Sequence, residues 1–249
     1  MFYARLLSTP NRSTSEHNFT GLGNYSRALV KNVQESFPGN DYHLYTPKIK
    51  EREETSFYKH HASFVTHVPD ISLKAHWRSY GVGKQLKKDG IDLYHGLSNE
   101  IPFTLKKNGV KSIVTIHDLI FKVYPKTYSL IDRNIYDLKF KKSCQLADKV
   151  IAISNSTKQD IIKYYGIDAD KIEVIYQTCN PIFYNEATEN DKVFKHYDIP
   201  SEYLLFVGSI ETRKNLGLLL DAYQYLPVQE RIPLVVIGGN RGYEKKFLN

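Results

Sequence analysis

The residues with chemistry to offer stand at the ends of short apolar runs. In Leu204 to Leu220, LLFVGSIETRKNLGLLL, an apolar run is closed by Gly208, a bend follows over Ser209 to Thr212, and Arg213 and Lys214 come next, ahead of a leucine-rich helical stretch. Two cations and several free backbone N–H groups thus gather at one strand-to-helix turn, where the helix dipole also favours negative charge, and the chemistry this suits is holding a phosphate. A surface Arg-Lys pair beside a turn that binds nothing would have the same spacing. Two further runs end in histidine: Ile113 to Ile116 leads into His117-Asp118, and Ile91 to Tyr94 into His95-Gly96. Ligands of open α/β sheets bind beyond the carboxyl ends of strands, so both pairs are expected at a ligand-binding edge. A lone histidine after a strand is as readily structural, and these two lack the spacing of a metal pair.

Gly21-Leu22-Gly23 opens a helix and would let backbone approach an anionic group closely, although the third glycine of the dinucleotide fingerprint is missing there and at Gly81-Val82-Gly83. Asp168-Ala169-Asp170 has the form of a DxD motif but precedes a strand, at the edge opposite the ligands, so no metal site is expected there. No GxSxG elbow, P-loop or HExxH occurs.

These positions need a scaffold of alternating strands and helices. Strands are expected over Phe2 to Leu7, Tyr42 to Tyr45, Ile91 to Tyr94, Ile113 to Ile116, Val150 to Ile153, Ile172 to Ile175, Leu204 to Val207 and Leu234 to Ile237, with a weaker one within Phe57 to Val68. Helices are expected from Gly21 (apolar stripe Leu22, Tyr25, Leu29, Val33, Phe37), over Ile71 to Lys88, Ser129 to Ala147, Ser156 to Tyr165 and Lys214 to Tyr225, with another starting at Tyr243 to Leu248. Ser8 to Thr20 and the polar stretch through Glu54 read as loops. The alternation implies an α/β fold with a doubly wound parallel sheet, and the continuous apolar run at Leu204 reads as a strand covered on both faces. The division is 1–185 as a first Rossmann-like domain, 186–200 as a patternless polar linker, and 201–249 as the first strand-helix-strand of a second.

The 249 residues, 41% hydrophobic and 24% charged, contain no run long enough for a membrane span and no signal-peptide order at the start, so the sequence reads as cytoplasmic. Cys144 and Cys179 both sit in patterns that read as buried, and indicate neither a disulfide framework nor a zinc site. A net charge of +7 admits a polyanionic partner. The lysines are dispersed and the 19 tyrosines fall at packing periodicities, so no nucleic-acid surface is indicated. Contact with an anionic membrane is compatible with the charge.

Taken in order, ARLLS, TGLGNYSR, DLYHGLS, TIHDLIFKVYP, ADKVIAISNSTKQDIIKYYGIDADKIEVIYQTCNPIF and FVGSIETRKNLGLLLDAY resemble glycosyltransferase family 4, the "group 1" retaining enzymes of the GT-B fold. The resemblance implies two Rossmann-like domains facing across a cleft, an acceptor-side domain first and a nucleotide-sugar domain second, with no cofactor or metal. The implied partners are a nucleotide-diphosphate sugar, mannose or another hexose, and a glycan or lipid-linked acceptor; peripheral contact with the inner face of the membrane is compatible with it. By position, Gly21 and Gly23 would approach the donor diphosphate and acceptor, and His117 would contact the transferred sugar, with His95 and Asp118 beside it. Lys214 and Arg213 would neutralise the leaving diphosphate. Ser209 stands where many members have arginine, and no Glu-x7-Glu pair of the kind the family uses for donor sugar and ribose occurs. That absence, with the short first strand, suggests a fragment or truncated reading frame, inactive alone, and the alternative function of a module that only binds acceptor.

Overall fold

A computed structural model describes residues 2–4, 21–46, 53–69, 76–185 and 191–239, and the chain divides into two compact units, Met1–Asn180 and Pro181–Asn249. The first unit holds seven strands: β1 (Phe2–Ala4), β2 (Tyr42–Tyr45), β3 (Phe64–His67), β4 (Leu93–Gly96), β5 (Lys111–Ile116), β6 (Lys149–Ala152) and β7 (Ile172–Val174). Its helices are α1 (Gly21–Ser36), α2 (Glu53–His60), α3 (Val82–Lys88, continuing a π-turn at Trp77–Gly81), α4 (Ile120–Val123), α5 (Leu130–Leu146) and α6 (Asn155–Tyr165). The second unit contributes α7 (Asp191–His196), β8 (Leu204–Val207), α8 (Leu216–Gln224) and β9 (Leu234–Ile237).

All pairings of the first sheet are parallel, in the order β3-β2-β1-β4-β5-β6-β7. The order reverses between β1 and β4, which is the switch point where such sheets open a crevice beyond their strand ends. Register decides which side chains share a face, because cross-strand partners point the same way and neighbours along a strand point oppositely. Tyr3 is paired with both His43 and Tyr94, and Ala4 with both Leu44 and His95. His43, Tyr45, Tyr94, Val114 and Ile116 therefore belong to one face; Tyr42, Leu44, His95 and Thr115 belong to the other.

Each face carries its own core. Tyr45, Leu86, Tyr94, Val114, Ile116, Phe140 and Cys144 cluster on the first, under α3 and α5. Val30, Tyr42, Leu44, Tyr58, Phe64 and Leu97 cluster on the second, under α1 and α2. Burying one such side chain contributes about 1.5–3 kcal/mol, so both faces must be covered for the sheet to persist. Helix starts are fixed locally. The Ser129 hydroxyl accepts from the Asp132 N–H at 3.1 Å and Ser154 from the Thr157 N–H at 3.1 Å, each satisfying a donor the helix leaves orphaned.

Several sequence expectations need correction. Glu53–His60 is helical, so the expected strand shrinks to Phe64–His67; Tyr58, read there as strand, is buried from a helix. In α1 the buried stripe is Gly23, Ser26, Val30 and Gln34, while Phe37 lies beyond the helix and is exposed. Small residues bring α1 close to the sheet, and Leu29 and Val33 pack from its flank. The span expected as a patternless linker contains α7, where Phe194 sets its ring against Tyr203 with centroids 6.2 Å apart. Cys144 is buried as expected but Cys179 is exposed. Among the described residues β8 is not covered on both faces: Leu205 is 52% and Val207 68% exposed, and β9 is its one partner strand there. Residues 5–7 of the first expected strand, Ser8 to Thr20, residues 47–52, Ile71 and Tyr243 to Leu248 lie outside the described residues.

Candidate functional site at the carboxyl edge of the sheet

His117 is the first residue after β5, and four separate segments hold it. Its backbone N–H donates to Asn99 Oδ1 at 2.8 Å, and its carbonyl accepts from the Thr157 hydroxyl at 3.1 Å. Nε2 lies 2.9 Å from the Leu97 carbonyl, and a carbonyl can only accept, so Nε2 carries the ring proton. Nδ1 is then a lone-pair acceptor, and the Gln177 amide donates to it at 3.0 Å. Burial holds the His117 pKa below the ordinary histidine value, against opposing effects of the Leu97 carbonyl and Asp118, so the imidazole is neutral at pH 7. The Tyr25 ring stands edge-on to it at 4.8 Å and 89°.

Asn99 is held with φ at 60°, in the left-handed region, its N–H bonded to the Thr115 carbonyl at 2.8 Å. Asn tolerates that conformation better than most residues. The same residue thereby turns the chain after β4 and offers its side chain to His117.

His95 lies differently from the sequence expectation. β4 runs over Leu93–Gly96, two residues later than its apolar run, so His95 is inside the strand and 3% exposed rather than open at the edge. The register explains the shift, since His95 is opposite Ala4 and Ile113 and its ring faces the α1 side of the sheet. His95 Nε2 is 2.8 Å from Thr115 Oγ1, which is in turn 3.1 Å from the Tyr25 hydroxyl. Burial, reinforced by neighbouring His117, lowers the His95 pKa to about 4. Tyr25, Thr115, His95 and His117 thus form one neutral polar cluster between α1 and the ends of β4 and β5.

The other expected residues divide. Asp118 is exposed and its Oδ1 accepts from the Ile120 N–H at 3.2 Å, a turn-forming bond ahead of α4. Gly21 and Gly23 are at the start of α1; a methyl on Gly21 would meet nothing within 4 Å, so nothing in the described residues demands glycine there. The Asp168 side chain accepts from the Asp170 N–H at 3.1 Å, capping a short turn ahead of β7. Tyr25, Asn99, Thr115 and Gln177 did not emerge from sequence. Thr115 alone left a trace, as the hydroxyl inside the apolar run SIVTI.

In the second unit Ser209 follows β8 and is half-buried. Arg213 Nη2 is 2.6 Å from Glu211 Oε1, so its charge is already partnered. Lys214 has no ion-pair partner among the described residues. Asn215 adopts φ 53° and its side chain makes no capping bond, leaving the first N–H groups of α8 without a side-chain acceptor from that residue. Lys214 and this helix start together offer positive potential to an anion.

Residues 19–181 match the model of Glycosyltransferase Family 4. The chain is 26% identical over 263 aligned residues to "O-antigen chain mannosyltransferase B" of Escherichia coli, covering 94% of this chain and 64% of that protein. It is 30% identical over 155 residues to "Serotype-specific mannosyltransferase WbdA" of Escherichia coli, covering 59% of this chain and 19% of the relative. The chain thus spans less than two thirds of either relative. Among solved structures, Anabaena Alr3699/HepE in complex with UDP superposes with a TM-score of 0.63 at 14% identity, over 99% of this chain and 63% of that one. A glycosyltransferase from Rickettsia africae gives 0.60 at 14% identity, over 100% and 62%. Such identities speak to the fold.

Proposed function

Because the chain belongs to glycosyltransferase family 4, with a fold of the GT-B type, we propose that it transfers a hexose from a nucleotide-diphosphate sugar to a glycan or lipid-linked acceptor, with retention of configuration. The observation that carries the reading is the state of His117: a neutral ring at a strand end, whose Nδ1 acceptor is covered by the amide of exposed Gln177. A hydroxyl of the transferred sugar can take the place of that amide and donate to Nδ1. Nε2–H stays on Leu97 and keeps the ring oriented. His95, through Thr115 and Tyr25, holds the neighbouring wall, Asp118 shapes the adjoining turn, and Gly21 and Gly23 allow the diphosphate or acceptor close to the start of α1.

Transfer breaks the bond between the anomeric carbon and the diphosphate oxygen, and the leaving nucleoside diphosphate keeps the electron pair. The acceptor hydroxyl oxygen bonds to the same carbon on the same face, and its proton passes to the departing phosphate. Negative charge grows on the diphosphate, and a preorganised cation stabilises it without a metal or cofactor. Lys214 is that cation; Arg213 contributes through its pairing with Glu211 rather than as a second free charge, and Ser209 supplies a hydroxyl where many relatives have an arginine. The Escherichia coli relatives' names favour mannose as the sugar, and the UDP-bound Anabaena structure is in keeping with a nucleoside diphosphate as the leaving group.

The test is transfer from radiolabelled GDP- and UDP-hexoses to a lipid-linked glycan acceptor by the chain and its variants. Lys214→Ala is expected to lower kcat by about 10²–10³-fold, as for loss of one charge-stabilising donor. His117→Ala is expected to lower kcat/KM by about 10–100-fold, one hydrogen bond's worth plus the loss of ring packing. Undiminished transfer by Lys214→Ala would remove the diphosphate role.

A further inference from the structure

On the sheet face opposite His95, two histidines from adjacent strands meet. His43 of β2 and His67 of β3 are stacked with centroids 5.0 Å apart and planes 23° from parallel, and His43 Nδ1 lies 3.0 Å from His67 Nε2. Tyr45 stacks on His67 at 4.3 Å and 10°. Asp89, at the carboxyl end of α3, places Oδ2 3.8 Å from His67 Nδ1, accepts from the Tyr45 hydroxyl, and accepts from Gln85 Nε2 at 2.8 Å on Oδ1. One ligand atom from each of His43, His67 and Asp89 lies within 4.8 Å of the others, and all three residues are half-buried, leaving room for solvent ligands.

We propose that His43, His67 and Asp89 bind a zinc ion that clasps edge strand β3 to β2 and to the end of α3. Two nitrogens on a tetrahedral zinc are about 3.3 Å apart, given metal–nitrogen bonds of about 2.0–2.1 Å, so the imidazoles need to part by only a few tenths of an ångström. The hydrogen bond now joining the rings, one N–H donating to one lone pair, already brings these two nitrogens together. Only one ring donates in that bond, so ligation by both nitrogens requires the donor ring to carry its single proton on its other nitrogen, and each ring then keeps one N–H. Asp89 has to close on the ion to reach a zinc–oxygen distance of about 2.0–2.2 Å; Oδ2, the oxygen nearer His67, also accepts from the Tyr45 hydroxyl, while Oδ1 keeps the Gln85 amide. A His₂-carboxylate set suits zinc over the hard cations, which prefer all-oxygen shells. Nothing in the sugar-transfer reading uses these residues, which lie on the other face of the sheet.

The experiment is titration of the metal-stripped chain with ZnCl₂ by calorimetry, with CoCl₂ as a spectroscopic probe. Expected are about one equivalent of zinc bound, a visible cobalt band of tetrahedral intensity, and a rise in melting temperature with zinc, as mass action requires. His43→Ala, His67→Ala and Asp89→Asn should each weaken zinc at least about tenfold while far-UV dichroism is unchanged. If a variant fails to fold, imidazole ¹⁵N resonances of the unsubstituted chain decide, since those of His43 and His67 must be the ones that shift with zinc. No stoichiometric binding, or binding that leaves those two rings unshifted or survives both histidine substitutions, overturns the proposal and leaves a metal-free histidine pair.

Discussion

At the scale of single residues, the site is built from neutral groups. His95 titrates near pH 4 and His117 below the ordinary range, both chiefly through burial. The unfolded chain takes up a proton on each histidine near pH 6.5, whereas in the fold His95 does so near pH 4 and His117 below its ordinary value. The stability these rings confer is therefore complete above about pH 7 and lost as the pH falls from about 6.5 toward 4, with His95 alone accounting for about 2–3 kcal/mol at pH 4.5. Urea denaturation at pH 7 and 4.5 should show this loss, and His95→Gln, which keeps a partner for Thr115, should flatten it. Equal pH dependence in both proteins would contradict the assignment. Sequence made His117 and its position legible because an apolar run stops directly before it. Its tautomer, its Gln177 partner 60 residues later and the burial of His95 were not legible, since all three follow from register and chain crossings.

At the scale of elements, glycines separate what folding needs from what a ligand needs. A methyl on Gly96, at the end of β4, would lie 2.2 Å from the Glu100 carbonyl oxygen and 2.7 Å from Ile101 Cγ2. The chain can turn there only by passing over a residue without a side chain. Gly96→Ala should cost about 1–3 kcal/mol or more in overpacking. Gly21→Ala meets open space, so its melting temperature should be unchanged or slightly raised while sugar transfer falls; loss of stability instead would show that Gly21 serves the fold. Strands such as Leu204–Val207 and Leu234–Ile237 were legible to the residue because they are uninterrupted apolar runs. α2 and α7 were not, because short polar helices draw their order from contacts such as Tyr58 in the second-face core and Phe194 on Tyr203.

At the scale of the whole molecule, the charge of +7 is accompanied by an exposed apolar face on α5: Leu130, Ile131, Ile135 and Leu138, of which Ile131 is 73% exposed, with Lys126 and Lys141 nearby in the chain and also exposed. No helix among the described residues is long and apolar enough to cross a membrane. We propose that this face, apolar with lysines nearby, rests on anionic lipid. Sedimentation with phosphatidylglycerol vesicles should carry the protein down at low salt, and Ile131→Asp with Leu138→Asp should leave it in solution; equal binding to neutral vesicles would argue against this contact. The sheet order carries a different consequence, for synthesis. β1 precedes the other six strands of its sheet in the sequence, yet it lies inside the sheet, between β2 and β4. While the chain emerges from the ribosome, Phe2–Ala4 can pair on one side with β2 early but waits some ninety residues for Leu93–Gly96 on the other. Until then the nascent sheet ends in an open hydrogen-bonding edge, and loop closure over that distance sets the pace at which the first unit can finish folding. The three residues Phe2–Ala4 are thus the seam along which β3-β2 joins β4-β5-β6-β7.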